Sequence, residues 1–341
     1  MKKKIVANTI NYLLILLFVN LFATIFGGSN TLIGVTIVVA VSILKQEDLT
    51  KNLYVNLMKL LGINLISGIF AHLASNNIYL GLVLNFSILL IMGYVLTSKL
   101  NKVKLLPFGL QYLFMLCTPV TGIDFVKRLL GLATGAFLIM LVQLITYRKG
   151  KNNLVEESKA KNETTEKYLS SINKGNEYIR VFNKFYIHHV RGAYAFRVAL
   201  IITLSVFLVE LFNLVQGRWI IYTVFALTEL YSENCRIRSK QRLQGTVIGV
   251  IIVMILFIFI KDNTIRGLMA LIPGYLGSYA TNYRDSILFV TMSVVASISV
   301  TNGTIITGIE RVGYICIGIL IALIADKLIL NKKLKCIENS M

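Results

Sequence analysis

Apolar runs of about 17–23 residues recur along almost the whole chain, the length an α-helix needs to cross a bilayer at 1.5 Å per residue. Short polar or glycine-bearing breaks separate them. The pattern predicts an all-α membrane protein with about twelve transmembrane helices. In the first half the spans fall at roughly 5–27, 30–45, 53–75, 78–98, 104–120 and 125–147. In the second they fall at roughly 193–215, 218–232, 243–260, 264–281, 285–301 and 305–330. Several are short enough to be hairpins that stop before the far face. Gly27-Gly28, Pro107, Pro119, Gly274 and Gly303 break the pattern. Inside a membrane such breaks persist only where protein or a wet cavity satisfies the released backbone groups. The first run has a basic start but is too long for a signal-peptide core and lacks a small-x-small cleavage site, so it reads as the first span.

A repeat underlies these spans. Lys59-Leu-Leu-Gly62 answers to Arg242-Leu-Gln-Gly245, and Arg128 with Gly135 answers to Arg311 with Gly318. The offset is constant: 242 − 59 = 183, 311 − 128 = 183 and 318 − 135 = 183. Gly34 and Gly217 keep it too. The same motif recurs within each half, since 128 − 59 = 69 and 311 − 242 = 69. Three predicted helices separate the members of each inner pair, and an odd number of crossings reverses direction. The reading is two six-helix pseudo-repeats, each with an internal inverted arrangement of the kind secondary transporters build around a central site. The organisation is a membrane half over 1–147, a basic and partly helical cytoplasmic linker over 148–191, a second membrane half over 192–331 and a cytoplasmic tail over 332–341.

Composition sharpens the class. The chain is 56% hydrophobic, above the roughly 45–50% of soluble domains. Its formal net charge is +19. With the N-terminus inside, most Lys and Arg fall on the inner side, in short loops, in the Arg148–Arg191 linker and in the tail; only Lys127, Arg128, Arg218, Lys261, Arg266 and Arg311 lie outside. That bias is the positive-inside rule, and it places both termini in the cytoplasm of a multi-pass cell-membrane protein. Basic runs flank apolar spans without a recognition motif, which excludes nucleic acid as the partner. Within the linker, Tyr178, Phe182, Phe185 and Tyr186 recur at helical spacing, and the segment reads either as an amphipathic helix on the inner leaflet or as a solvated tether.

Catalytic and cofactor chemistry find little support. No GxxxxGK[ST] loop, HExxH or GxSxG motif occurs, so the chain reads as neither an ATP-driven pump nor an enzyme. Cys117, Cys235, Cys316 and Cys336 lie far apart, and His188-His189 reads as an interfacial pair. No cofactor and no metal are expected.

The repeated cations carry the candidate chemistry. A cation at a helix start opposes the local dipole and calls for a negative partner, either a fixed carboxylate or an anionic ligand. Lys59 and Arg242 also obey the orientation rule, so ordinary flanking charge explains them as well. Arg128 and Arg311 break that rule. A charge near the bilayer centre costs roughly 2.5–3.5 kcal/mol, so these two need a use. Asp124 can pair with Arg128 four residues on, whereas Glu310 is adjacent to Arg311 and does not face it. Glu210, Glu229 and Glu310 are candidate proton carriers or pairing carboxylates. Arg197 is placed to snorkel toward the inner interface. Trp219, the only tryptophan, sits where an outer-interface anchor belongs. Gln111, inside an apolar span, should face protein or a cavity.

Four segments of the second half then resemble a known family. They are Phe196-Arg-Val-Ala-Leu200, Trp219-Ile-Ile-Tyr222, the basic 236–242 stretch running into Arg242-Leu-Gln-Gly-Thr-Val-Ile-Gly249, and Glu310-Arg311 opening the last span. The series resembles the fusaric-acid-resistance-like (FUSC) group of membrane transporters, related to aromatic acid exporters. The resemblance covers about 190–330. The first half fits more loosely, with Lys59 for the arginine and Asn64 where a threonine-bearing segment would be. It implies proton-driven efflux of organic anions, often aromatic carboxylates, through a path that Lys59, Arg128, Arg242 and Arg311 line or border, with Glu310 and Glu229 as proton-coupling candidates. The implied partners are a small organic anion and the lipid bilayer, and a homo-oligomer is compatible. An uncoupled anion channel, which similar plant malate channels exemplify, and a non-transporting membrane subunit remain open alternatives.

Overall fold

The computed structural model describes residues 2–45, 48–97, 102–149, 178–181, 185–229 and 232–329. The helices are α1 (Lys2–Phe26), α2 (Thr31–Leu44), α3 (Leu53–Asn76), α4 (Ile78–Leu96), α5 (Leu105–Cys117), α6 (Gly122–Lys149) and α7 (His189–Leu211). They continue with α8 (Arg218–Leu227), α9 (Ser232–Phe259), α10 (Asn263–Met269), α11 (Leu271–Gly277), α12 (Tyr283–Asn302) and α13 (Thr304–Ile329). Seven are long and apolar enough to cross a membrane, at Ile5–Phe26, Thr50–Asn76, Ile78–Leu96, Gly122–Tyr147, Val190–Leu211, Asn234–Phe259 and Thr304–Lys327. Gly28–Leu44 and Arg218–Leu227 are apolar but shorter.

Two expectations change. The predicted span at 264–281 is two short helices, α10 and α11, broken at Ala270. Ala270, the N-cap of α11, accepts from Ser293 Oγ at 2.6 Å, which ties the break to α12. The amphipathic helix expected from Tyr178 is instead an antiparallel hairpin, β1 (Tyr178–Val181) with β2 (Phe185–His188), pairing Tyr178 with His188 and Val181 with Phe185. Aromatic and β-branched residues fill both strands, and those residue types favour a pleated backbone over the helix that the four-residue spacing alone suggested. Residues 150–177 of the linker, and the 332–341 tail, lie outside the described residues.

The chain divides into two compact units, one of residues 17–203 and one of residues 1–16 with 204–341. In the first, α3 packs on α4, α5 and α6, and α2 packs on α5 and α6. Asn64 Nδ2 donates to the Leu132 carbonyl at 3.2 Å, Gly68 abuts Leu129 and Leu132, and His72 stacks on Phe125 at 4.1 Å. Partners descend along α6 as position rises along α3, so the two helices run antiparallel. In the second unit α9 packs on α12 and α13, and α8 packs on α13. Gly308 abuts Met254 and Val250, whereas Ile315, Ile319 and Ala322 cluster with Leu227 and Cys235. Hence α9 and α13 are antiparallel too. The first sixteen residues attach to this unit through Thr9 Oγ1, 2.9 Å from Tyr275 Oη, and Tyr12 Oη, which donates to the Leu271 carbonyl at 2.6 Å.

Polarity is arranged inside-out relative to a soluble domain. Asn30, Asn64, Asn85, Gln111, Arg128 and Gln143 are buried, while Ile10, Leu13, Leu17 and Leu21 of α1 are exposed. Exposed apolar faces of this extent suit lipid, and interior polar groups are tolerable because they bond one another. Gln111 Nε2 donates to Asn64 Oδ1 at 3.1 Å, and Thr36 Oγ1 donates to Gln111 Oε1 at 3.2 Å. Tyr112 Oη donates to Asn85 Oδ1.

Candidate anion site

Each unit contains a buried arginine at the matched position, and helix-packing glycines place both. Gly135 brings α6 onto Ile37 of α2, where an added Cβ would lie 2.5 Å from Ile37 Cδ1. Gly318 brings α13 onto α8, where a Cβ would lie 2.8 Å from Thr223 Cβ and 3.1 Å from the Ile220 carbonyl. The correspondence holds at both ends of the contact, since 318 − 135 = 183 and 220 − 37 = 183. Seven residues before each glycine, two helical turns away, stands the arginine on the same face.

Arg128 is fully engaged by neutral acceptors. Its Nε donates to Asn30 Oδ1 at 2.8 Å, Nη1 to the Met115 carbonyl at 3.3 Å and Nη2 to the Ser29 carbonyl at 3.3 Å. Met115 ends α5, and Ser29 lies in the 3-10 turn (Gly28–Asn30) just beyond α1. The guanidinium therefore meets the last turn of α5, whose carbonyls carry partial negative charge, and the turn that links α1 to α2. Asn30, wholly buried, passes the connection on through Nδ2 to the Phe26 carbonyl at 2.8 Å and the Asp124 carbonyl at 3.3 Å. The Asp124 carboxylate acts on Arg128 through its field.

Arg311 lacks such a cradle. It is buried to 4% exposure, and its Nε and Nη1 have no hydrogen-bond partner among the described residues. Its guanidinium lies 3.8 Å from the centroid of the Trp219 ring. Arg242, also buried, acts on it as a like charge. Arg242 Nε donates to Thr223 Oγ1 at 3.3 Å and Nη1 to Tyr283 Oη at 3.0 Å. Arg238 lies over the same Tyr283 ring at 5.2 Å and pairs with buried Glu229 at 2.7 Å. Thr246 Oγ1 and Thr291 Oγ1 are buried without hydrogen-bond partners, Thr246 one turn beyond Arg242 on α9. Two cations, hydroxyl groups and an aromatic face thus converge in one unit, and among the described residues no acidic side chain bonds either cation.

Other sequence candidates fall elsewhere. Lys59 is exposed on α3. Glu310 is half-buried. Arg197 is 5% exposed, 5.9 Å from the Tyr194 ring, and does not snorkel. Trp219 is half-buried against Arg311 and also packs edge-on against Tyr222 at 5.7 Å, contacts that the sequence reading of it as an interfacial anchor did not foresee. Only the tryptophan's place in the repeat could have signalled them. Two other cations that break the charge rule are tied down locally. Arg266 caps the end of α9 through the Ile260 and Phe257 carbonyls at 2.7 and 2.9 Å, and Arg218 bonds Gln216 Oε1 at 3.0 and 3.1 Å.

The apolar helices and the buried polar interior define a multi-pass helical membrane protein. A family model described as fusaric acid resistance protein-like matches residues 203–325, the segment that holds both Arg242 and Arg311. With the apolar helices, this match points to a transporter-type protein. No curated protein and no solved structure matches the chain.

Proposed function

We propose that the protein exports organic anions, aromatic carboxylates among them, across the cytoplasmic membrane, with both termini inside. In this reading the chain is two six-helix pseudo-repeats, and the antiparallel course of the motif-bearing helices in each unit supports an internal inversion. The anion site belongs to Arg242 and Arg311. The observation behind it is Arg311: a buried guanidinium with unspent donors beside a second positive charge is costly unless an anion completes it. The little-exposed guanidinium fits a state of the transport cycle in which the site is closed to bulk water. Glu229 and Glu310 are the proposed carriers of a coupling proton.

The test is efflux of labelled benzoate from proteoliposomes holding the full chain. Arg242→Ala and Arg311→Ala should each abolish proton-gradient-driven efflux. Wild-type rates in both variants would refute the anion role, and flux independent of the proton gradient would mark an uncoupled channel instead.

A further inference from the structure

The two matched arginines stand in different chemical surroundings. Arg128 spends all three guanidinium nitrogens on protein acceptors, and the donor-acceptor set closes on itself through Asn30. At the corresponding place in the second unit, Asn213 (213 − 30 = 183) is exposed in left-handed backbone with φ 48°, whereas Asn30 is wholly buried. Where the first unit has Thr36, bonded to Gln111, the second has Trp219 (219 − 36 = 183). The duplication has therefore exchanged an amide clamp and a hydroxyl for an aromatic face, and the arginine has been left with donors to spare.

We infer that the matched arginines have diverged in role: Arg128 is a structural clasp joining the ends of α1 and α5, and Arg311 is the anion-binding one, with Trp219 setting the direction of approach. This inference rests on the transporter reading of the second unit. An indole stacked on one face of a guanidinium leaves the N–H edges open, so a ligand oxygen must meet Arg311 in the guanidinium plane. A carboxylate presented edge-on satisfies that geometry, and its single negative charge offsets the repulsion between Arg242 and Arg311. The clasp explains why Arg128 breaks the orientation rule without being a ligand group: the last turn of α5 and the Ser29–Asn30 turn supply its acceptors.

Trp219, the sole tryptophan, makes the test direct, because all indole fluorescence arises at the ring that Arg311 approaches to 3.8 Å, with Tyr222 and Arg218 its more distant neighbours. The purified full chain in detergent is titrated with benzoate. Wild type should give a saturable change. Arg311→Gln should raise the half-saturation concentration about tenfold or more, the size of a charge-assisted hydrogen-bond loss. Arg128→Gln should leave half-saturation unchanged and lower the thermal midpoint. Asn30→Ala, which keeps the arginine but removes its Nε acceptor, makes the same comparison should Arg128→Gln fail to fold. Loss of the benzoate response in a folded Arg128→Gln or Asn30→Ala protein, or an unchanged response in Arg311→Gln, overturns the division of roles. Wild-type efflux without any tryptophan response overturns it too and leaves the exporter reading standing.

Discussion

Gly62 and Gly245 occupy the same place in the repeat, and substituting alanine should have opposite effects at the two. A Cβ on Gly245 would lie 2.5 Å from the Arg284 carbonyl oxygen, 3.1 Å from Leu288 N and 3.2 Å from Ile287 Cβ. The two closest of these are backbone atoms of α12, so no side-chain rotation relieves the clash. The helices must part by roughly 1 Å to restore an ordinary contact, and overpacking of this kind costs about 1–3 kcal/mol. The same movement carries Arg242, three residues away, from Tyr283 Oη at 3.0 Å and Thr223 Oγ1 at 3.3 Å, and bonds of that length do not survive it. Gly62 has nothing within 4 Å of its virtual Cβ, so alanine there gains helix propensity, up to about 1 kcal/mol. The assay is thermal unfolding in detergent followed by size exclusion, with benzoate efflux measured in parallel. Gly245→Ala should lower both the midpoint and transport, and Gly62→Ala should raise or hold the midpoint at full transport. Equal destabilisation by the two would refute the close α9–α12 approach on which the site geometry depends.

Gln111→Leu should destabilise the first unit by about 1–3 kcal/mol in thermal unfolding, because Asn64 Oδ1 loses its buried donor, while Thr36 keeps the Ile33 carbonyl at 2.8 Å. Glu229→Gln should change stability by no more than about 1 kcal/mol, since its partner Arg238 is 39% exposed, and should abolish the dependence of efflux on the proton gradient. An unchanged gradient dependence would remove Glu229 as a coupling residue. Asp262 caps α10 through the Thr264 and Ile265 amides, which hold its carboxylate below the usual range. Its contribution is therefore present above the ordinary carboxylate pKa and is lost as pH falls through the lowered value; protection of the Thr264 and Ile265 amides, measured against their intrinsic exchange rates, should fall only at that acid end.

Most of the helical layout was legible because apolar run length is a strong signal in a bilayer. Eleven predicted segments overlap single helices and the remaining one, 264–281, overlaps two, but only seven helices are long and apolar enough to cross a membrane, and α9 starts at Ser232, so Arg242 lies within it rather than opening it. The break was legible in part: Gly274 marked it, and Pro273, which removes the bond to Met269 four residues earlier, fixes where it falls, while Ser293 ties it to α12. The constant offset was legible, and it marked the glycines that pack α6 and α13. What the offset could not say is which copy of a motif turns inward. The buried stripe of α3 runs through Leu60, Asn64, Ser67, Gly68 and Ala71, a mixture of small and polar residues that hydropathy does not distinguish from the exposed face bearing Lys59. The partners of Arg128 come from residues 98 and 13 positions away, and a local search for a carboxylate found only Asp124. The contact of Trp219 with Arg311 was not legible for the same reason: the two are 92 residues apart (311 − 219 = 92).

Locating a bound anion tests the central claim most directly. A structure of the full chain with 4-bromobenzoate, read from the anomalous signal of bromine, should place one carboxylate within hydrogen-bond distance of Arg311 Nε or Nη1, at the edge of the guanidinium that Trp219 covers. Bromine seated at Arg128, or binding that leaves Arg311 without an anion, would contradict the account.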